Sequence, residues 1–269
     1  TSSRGGASGF SKQYTGVAGG RGAKRTSGYM ESAARELRRV LVQELKQLEK
    51  IRTYDELRTQ VDDIAIMLAK RMRDAIIDDM DFAFRNGYQS AYGEIKGISK
   101  TAAKAPDMSQ QDLDVLTMLK NEGALYNAYN QFQNILVQKL NAAIVAGISQ
   151  GSSIPAIVQS MRQVGIGETY KLTRIARTEI SQIANEGRLR GYKMAEQRMG
   201  QQFKYGLIIG KDRRVCPAHK ELAQRQPKDG MFLNDLIMLQ QEIGAKYRMN
   251  LRGHSLLHPN QRTQLVRIV

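Results

Sequence analysis

Leu57, Val61, Ile64, Leu68 and Met72 recur at steps of three and four residues, the stripe of a helix that turns one face to a core. The segment "RTYDEL" ahead of them supplies a start, with Thr53 as N-cap and acids in the first turn. Helical patterning begins already at Tyr29. A second stretch, from about Ser109 to Ile148, sets Phe132, Leu136, Leu140 and Ile144 on one face. Between the two, "KGISKTAAKAPDMS" carries no period and reads as a loop. Long helices with mixed-charge outer faces predict a bundle or an extended hairpin.

Beyond residue 148 the pattern changes. "SQGSSIP" (149–155) and "GIGE" (165–168) bracket a short helix and predict a joint between two halves. "ETYKLTRIARTEISQIANEGRLRGYKMAEQR" then reads as about eight turns of helix. "FKYGLIIG", apolar and β-branched between glycines, predicts a strand. A helical turn in "KELAQRQ", a helix from about Asp235 to Met249 and a closing strand in "RTQLVRIV" follow, the last placed to pair with "FKYGLIIG". The expected fold is mainly α, a long helical N-terminal half with a small α+β C-terminal module. The domains expected are a flexible basic arm at 1–28, a helical domain at 29–150 and the module at 151–269.

Composition narrows the class. Hydrophobic residues at 41% and charged residues at 25% suit a globular chain. Tryptophan is absent and methionines number 12, so the core must be largely aliphatic. One cysteine excludes an intrachain disulfide framework, and no apolar run approaches the ~18 residues of a membrane span. The sequence begins at Thr1 rather than methionine, which suggests trimming or a longer product.

The net charge of +15 is unevenly spread. Residues 1–28 hold five Lys/Arg and no acid, 29–107 hold 14 of each sign, and 108–165 hold three of each. Residues 166–269 hold 19 basic and nine acidic residues, a net of +10. Blocks of one sign suggest a polyanion, and nucleic acid leads because its phosphates release counterions on neutralisation. "GGRGAKRTS" in the arm lacks the Gly-Lys-Ser/Thr order of a phosphate loop, so it reads as a cationic tail.

Two places carry candidate chemistry. Glu179 falls at helical spacing among Leu172, Ile175, Ala176 and Ile183. A carboxylate on an apolar stripe needs a partner, and Arg177 or Arg214 can supply it. It is a structural ion pair or, with a partner acid, a general base. The loop "KDRRVCPAHKEL" (211–222) places Cys216 and His219 at a spacing usual for two zinc ligands. His254 and His258 stand four apart, but Pro259 biases His258 away from helix, and an extended chain separates the pair by about 13 Å. The four are either a metal site or polar loop groups. Lys211, Arg213, Arg214 and Lys220 crowd the same loop as phosphate contacts.

A resemblance rests on three segments in order. "ARTE" (176–179) lies on the helix, with Asn185 six residues on and Tyr192 beyond; "DRRVC" (212–216) follows the strand; "HPNQR" (258–262) precedes the last strand. Over about residues 150–269 they resemble the phage minor head protein, or head-morphogenesis, family related to the F protein of phage Mu. Its pattern is Ala-Arg-Thr-Glu, then Asp-x-Arg-Thr-Cys-x-x-Cys, then His-Pro-x-Cys-Arg-Cys. Arg177, Thr178 and Glu179 match the first, Asp212, Arg214 and Cys216 the second, and His258, Pro259 and Arg262 the third. His219 replaces the second loop cysteine, while Gln261 and Thr263 replace the late pair. A family-like cluster would keep Cys216 and His258, take His219 as a swapped ligand and need His254. Zinc is the one cofactor suggested.

The resemblance implies a structural minor head protein of a tailed double-stranded DNA phage. Such a protein is expected inside the capsid near the portal, bound to portal protein and other head proteins. It would contact packaged DNA without regard to sequence and aid assembly or DNA delivery. No membrane partner and no small-molecule substrate are expected. The competing class is an enzyme. The family includes relatives with toxin or ADP-ribosyltransferase domains, and Glu179, Asp212, His219 and His258 would serve a nuclease. No paired carboxylates stand at compact metal-binding spacing, so the expectation is a protein without turnover, with Arg214 facing Glu179.

Overall fold

The computed structural model describes residues 35–96, 106–121, 124–209, 215–249, 251–252, 255–256 and 263–268. The arm at 1–28 lies outside them, as does most of the "KGISKTAAKAPDMS" segment. Helix α1 covers 35–47 and runs into a 3-10 turn at Leu48–Lys50; α2 is Tyr54–Lys96, α3 Gln110–Asn121, α4 Ala124–Ser149 and α5 Ile154–Met199. Strand β1 (Tyr205–Ile208), α6 (Pro217–Arg225), α7 (Leu233–Lys246), β2 (Leu251–Arg252), β3 (Ser255–Leu256) and β4 (Gln264–Arg267) complete the order. The protein is mainly α, with a small α+β part towards its C-terminal end.

The helix starts follow from local chemistry. The Glu56 amide donates to Thr53 Oγ1 at 3.2 Å and the Thr53 amide to Glu56 Oε2 at 3.2 Å. This reciprocal capping box satisfies two donors that a helix start leaves bare. Ser109 and Asp112 repeat it at α3, at 3.1 and 3.2 Å. Helix α4 ends where Gly151 adopts φ +66°, with Ser152 N donating to Gly147 O at 2.8 Å and Gly151 N to Ile148 O at 3.0 Å, a Schellman stop that favours glycine.

The stretch from Ser109 to Ile148 reads as helical, and its described residues are helical over Gln110–Asn121 and Ala124–Ser149, with 122–123 outside the described ones. One sequence expectation is corrected. The glycines of "GIGE" predict a boundary, yet α5 passes through them unbroken. A Cβ on Gly165 would lie 3.0 Å from Leu41 Cδ1 and 3.2 Å from Leu45 Cδ1. That glycine admits α1 rather than ending a helix; packing offsets the ~1 kcal/mol a helical glycine costs.

The described residues form two compact units, one from 35–81 and 115–179, the other from 82–114 and 180–268. In the first, the predicted stripes Leu57–Met72 and Phe132–Ile144 are all buried. Its ion pairs include Lys120–Asp81 at 3.1 Å, Lys171–Glu168 at 3.0 Å, Lys139–Glu168 and Arg71–Glu44.

In the second unit, β1 and β4 pair antiparallel, Tyr205 opposite Arg267 and Ile208 opposite Gln264, as their sequences suggest. Here α2 meets α5 at backbone distance. A Cβ on Gly187 would stand 2.1 Å from Phe84 O, on Gly191 2.3 Å from Tyr88 O, and on Gly87 2.3 Å from Ala184 O. Only hydrogen fits at those three points. Helices α6 and α7 pack with the sheet and α5 around Leu207, Leu222, Leu236, Ile243 and Leu265.

Candidate functional site

Ten consecutive positions of α5, Ile180–Leu189, are buried, and Ser181, Gln182, Asn185, Glu186 and Arg188 among them are polar. A helix buried on all sides is normally apolar, so this segment must find partners for its polar atoms. Asn185 and Arg188 find theirs on β4. Asn185 Nδ2 donates to Thr263 O at 2.9 Å, and its Oδ1 accepts from Leu265 N at 3.1 Å. Arg188 Nε donates to Leu265 O at 2.5 Å, and Arg267 N donates to Tyr192 Oη at 3.1 Å. Asn185, Arg188 and Tyr192, three and four residues apart, thus occupy the edge of β4 that β1 leaves free. Side chains replace a third strand there, closing an edge that would otherwise invite another chain.

Glu94 of α2 completes the group. Its two carboxylate oxygens each accept from Arg188 Nη2 at 2.7 Å, and Tyr192 Oη donates to it. Burial alone would lower the Arg188 pKa, but the Tyr192 oxygen and the Glu94 carboxylate hold it above its ordinary value. Burial pushes the Tyr192 phenol far up, so it stays neutral, donating to Glu94 and accepting from Arg188 and Arg267. A second pair secures α3: Arg190 Nη1 meets Asp112 Oδ1 at 2.7 Å while its Nε meets Glu186 at 3.1 Å.

The far edge of β1 is closed in the same manner. Tyr205 and Met231 exchange backbone bonds at 2.7 and 2.9 Å, and Leu207 N donates to Gln226 Oε1 at 2.7 Å. Gly230, at φ +79°, makes the turn that brings Met231 there. Outside the sheet, Glu221 of α6 accepts from Lys246 at 2.7 Å and Tyr247 at 2.8 Å, and Arg225 grips Glu242 by two bonds of 2.8 Å. These tie α6 to α7 and the turn after it.

Of the residues singled out in the sequence, Asn185 and Tyr192 meet in the β4 clamp. Thr178 is buried and donates back to Arg174 O at 3.1 Å; Glu179 is buried at 3% exposure, and Arg177 is half-buried. Lys211, Asp212, Arg213, Arg214, His254, His258, Pro259 and Arg262 lie outside the described residues. Lys220 is exposed on α6.

Cys216 caps α6, and its Sγ lies 3.0 Å from Nδ1 of the buried His219. Two ligands of one tetrahedral zinc, at about 2.3 and 2.0–2.1 Å from it, stand about 3.6 Å apart. The pair is a direct hydrogen bond that would have to open to share a metal. No group of three or more His, Cys, Asp or Glu with metal-binding geometry occurs among the described residues.

Glu94, Arg188, Gln226 and the glycine contacts escape the sequence reading. The available signal was Gly187-x-x-x-Gly191 inside a helix, a spacing that puts two missing side chains on one face. For Glu94 and Gln226 no local signal exists.

Residues 138–234 match the model of the family described as Phage Mu protein F like protein. This segment is Mu F-like. It runs from the middle of α4 into the start of α7, so the clamp residues on α5 and the Cys216–His219 pair belong to it. No curated protein and no solved structure matches the chain. No described helix is long and apolar enough to cross a membrane.

Proposed function

We propose that this Mu F-like protein is a portal-associated minor head protein of a tailed double-stranded DNA phage, contacting packaged DNA inside the capsid and aiding head assembly or DNA delivery. The family match over 138–234 carries the reading. The charge distribution supports its electrostatic half: five cations and no acid in 1–28, a net of +10 in 166–269, and balance between them. Cations clustered in blocks bind phosphates by counterion release, which is strong at low salt and indifferent to sequence.

Co-expression with the adjacent head proteins is the direct test. The protein is expected to purify with portal in a fixed ratio. It should also bind unrelated duplexes equally, with an affinity that falls steeply between 50 and 200 mM salt. Failure to associate with portal, or DNA binding that is absent or insensitive to salt, overturns the corresponding half. Zinc analysis of the same preparation tests whether Cys216, His219, His254 and His258 form the metal site the resemblance implies.

A further inference from the structure

We propose that the outward face of α5 from Gln163 to Arg177, with Lys139 of α4 beside it, is a contact surface for the phosphate backbone of double-stranded DNA; this rests on the DNA-contacting reading above. Between Ile154 and Glu179 the acids of α5 are Glu168 and Glu179, and both are buried, while Lys171 and Arg174 are exposed and Arg177 is half-buried. Acids inside and bases outside leave this stretch of helix with a cationic surface. Positions 163, 167, 170, 174 and 177 follow three- and four-residue steps and share one face, about 21 Å long at 1.5 Å per residue. Lys139 and Lys171 both bond the single carboxylate of Glu168, so that trio keeps a net positive charge. Among the described residues no carboxylate pairs with Arg174 or Arg177.

Two further features suit a polyanion backbone rather than a folded protein surface. Tyr170 stands 65% exposed between the cations, where its hydroxyl can donate to a phosphate oxygen. A Cβ on Gly167 would meet nothing within 4 Å, so this face is low enough for a backbone to approach the helix. None of these residues belongs to the loop cations that the sequence alone points to.

The test uses the full chain and 30-base-pair duplexes of two unrelated sequences, with affinity measured from 50 to 200 mM salt. Neutralising Lys171→Gln and Arg174→Gln together should reduce the slope of log affinity against log salt by about 1.8, at about 0.9 per phosphate contact. Arg174→Gln alone, which touches no ion pair, should reduce it by about 0.9. Arg174→Gln is expected to melt as the wild type does, and the double variant slightly below it, because Lys171 also bonds the buried Glu168. Tyr170→Ser should weaken binding several-fold at an unchanged slope. If the wild type binds with a steep slope and the variants keep it, the surface is wrong and the DNA reading stands. If the wild type shows no salt-dependent binding, both fall. Variants that keep DNA affinity but lose portal or another head protein would make this face a protein contact and overturn the proposal.

Discussion

In the unit formed by residues 35–81 and 115–179, the core is a set of aliphatic stripes, with ion pairs such as Lys120–Asp81 around them. In the unit formed by 82–114 and 180–268, a helix is buried on every side although half of ten consecutive residues are polar. The first design is redundant. Leu57, Val61, Ile64, Leu68 and Met72 do the same work, and trimming one leaves the pattern intact. The second is singular, because Arg188, Asn185 and Gly187 each satisfy a contact that nothing else replaces. A polar group left alone in such a place costs its full desolvation.

The sharpest way to break that contrast is Arg188→Ala. It leaves the Glu94 carboxylate, 10% exposed, without its guanidinium and leaves Leu265 O without its donor. Breaking a buried pair of this kind costs about 3–5 kcal/mol. Urea unfolding followed by circular dichroism should show a loss of that size. A loss below about 1 kcal/mol would mean that the clamp does not specify the unit.

Next in size is Gly187→Ala. The new Cβ would press on the Phe84 carbonyl oxygen from 2.1 Å, and a backbone atom cannot rotate away. Overpacking of this kind costs about 3 kcal/mol, readable as a lowered thermal midpoint. An unchanged midpoint would show that α2 and α5 are free to separate there.

The same contrast explains what a reader of the sequence can see. The stripes of α2 and α4, the Thr53 cap and the β1–β4 pairing were legible, because periodicity and capping are written in neighbouring residues. The run through Gly165 was not, because glycine marks both a break and a close approach, and only the position of Leu41 and Leu45 decides between them. Asn185 was legible as a motif residue, but its job was not: the β4 edge it holds lies 78 residues away in the chain. Glu94 stands a further 94 residues from Arg188 in the opposite direction, beyond any local pattern. The metal question turned on His254 and His258, and the expected Arg214–Glu179 contact on Arg214, all three outside the described residues.

Acid should probe both units at once, with a smaller effect. Burial alone would raise Glu168, but hydrogen bonds from Lys139 and Lys171 outweigh it and hold its carboxyl below the usual range. Burial likewise opposes, and Arg190 with Ser109 overcomes it, at Asp112. A depressed folded pKa stabilises above the unfolded value, about 4.3 for Glu and 3.9 for Asp, and the gain is lost as pH falls through the folded one. The urea midpoint should therefore hold from pH 7 to about 5 and decline below about pH 4. Asp112→Asn and Glu168→Gln should each flatten part of that decline; an unaltered acid limb in both would remove these carboxylates from the account.

The smallest effect should have the opposite sign. Gly167 lies on the same helix as Gly187, in ordinary helical conformation, and a Cβ there meets nothing within 4 Å. Gly167→Ala therefore adds no contact and removes only the backbone freedom glycine enjoys when unfolded, a gain of about 0.5–1 kcal/mol. Identical substitutions twenty residues apart on one helix should thus move the midpoint in opposite directions. Both shifts downward would mean that α5 needs a weak point at Gly167, and that the sequence signal for a boundary at "GIGE" carries physical weight even though the helix passes through it.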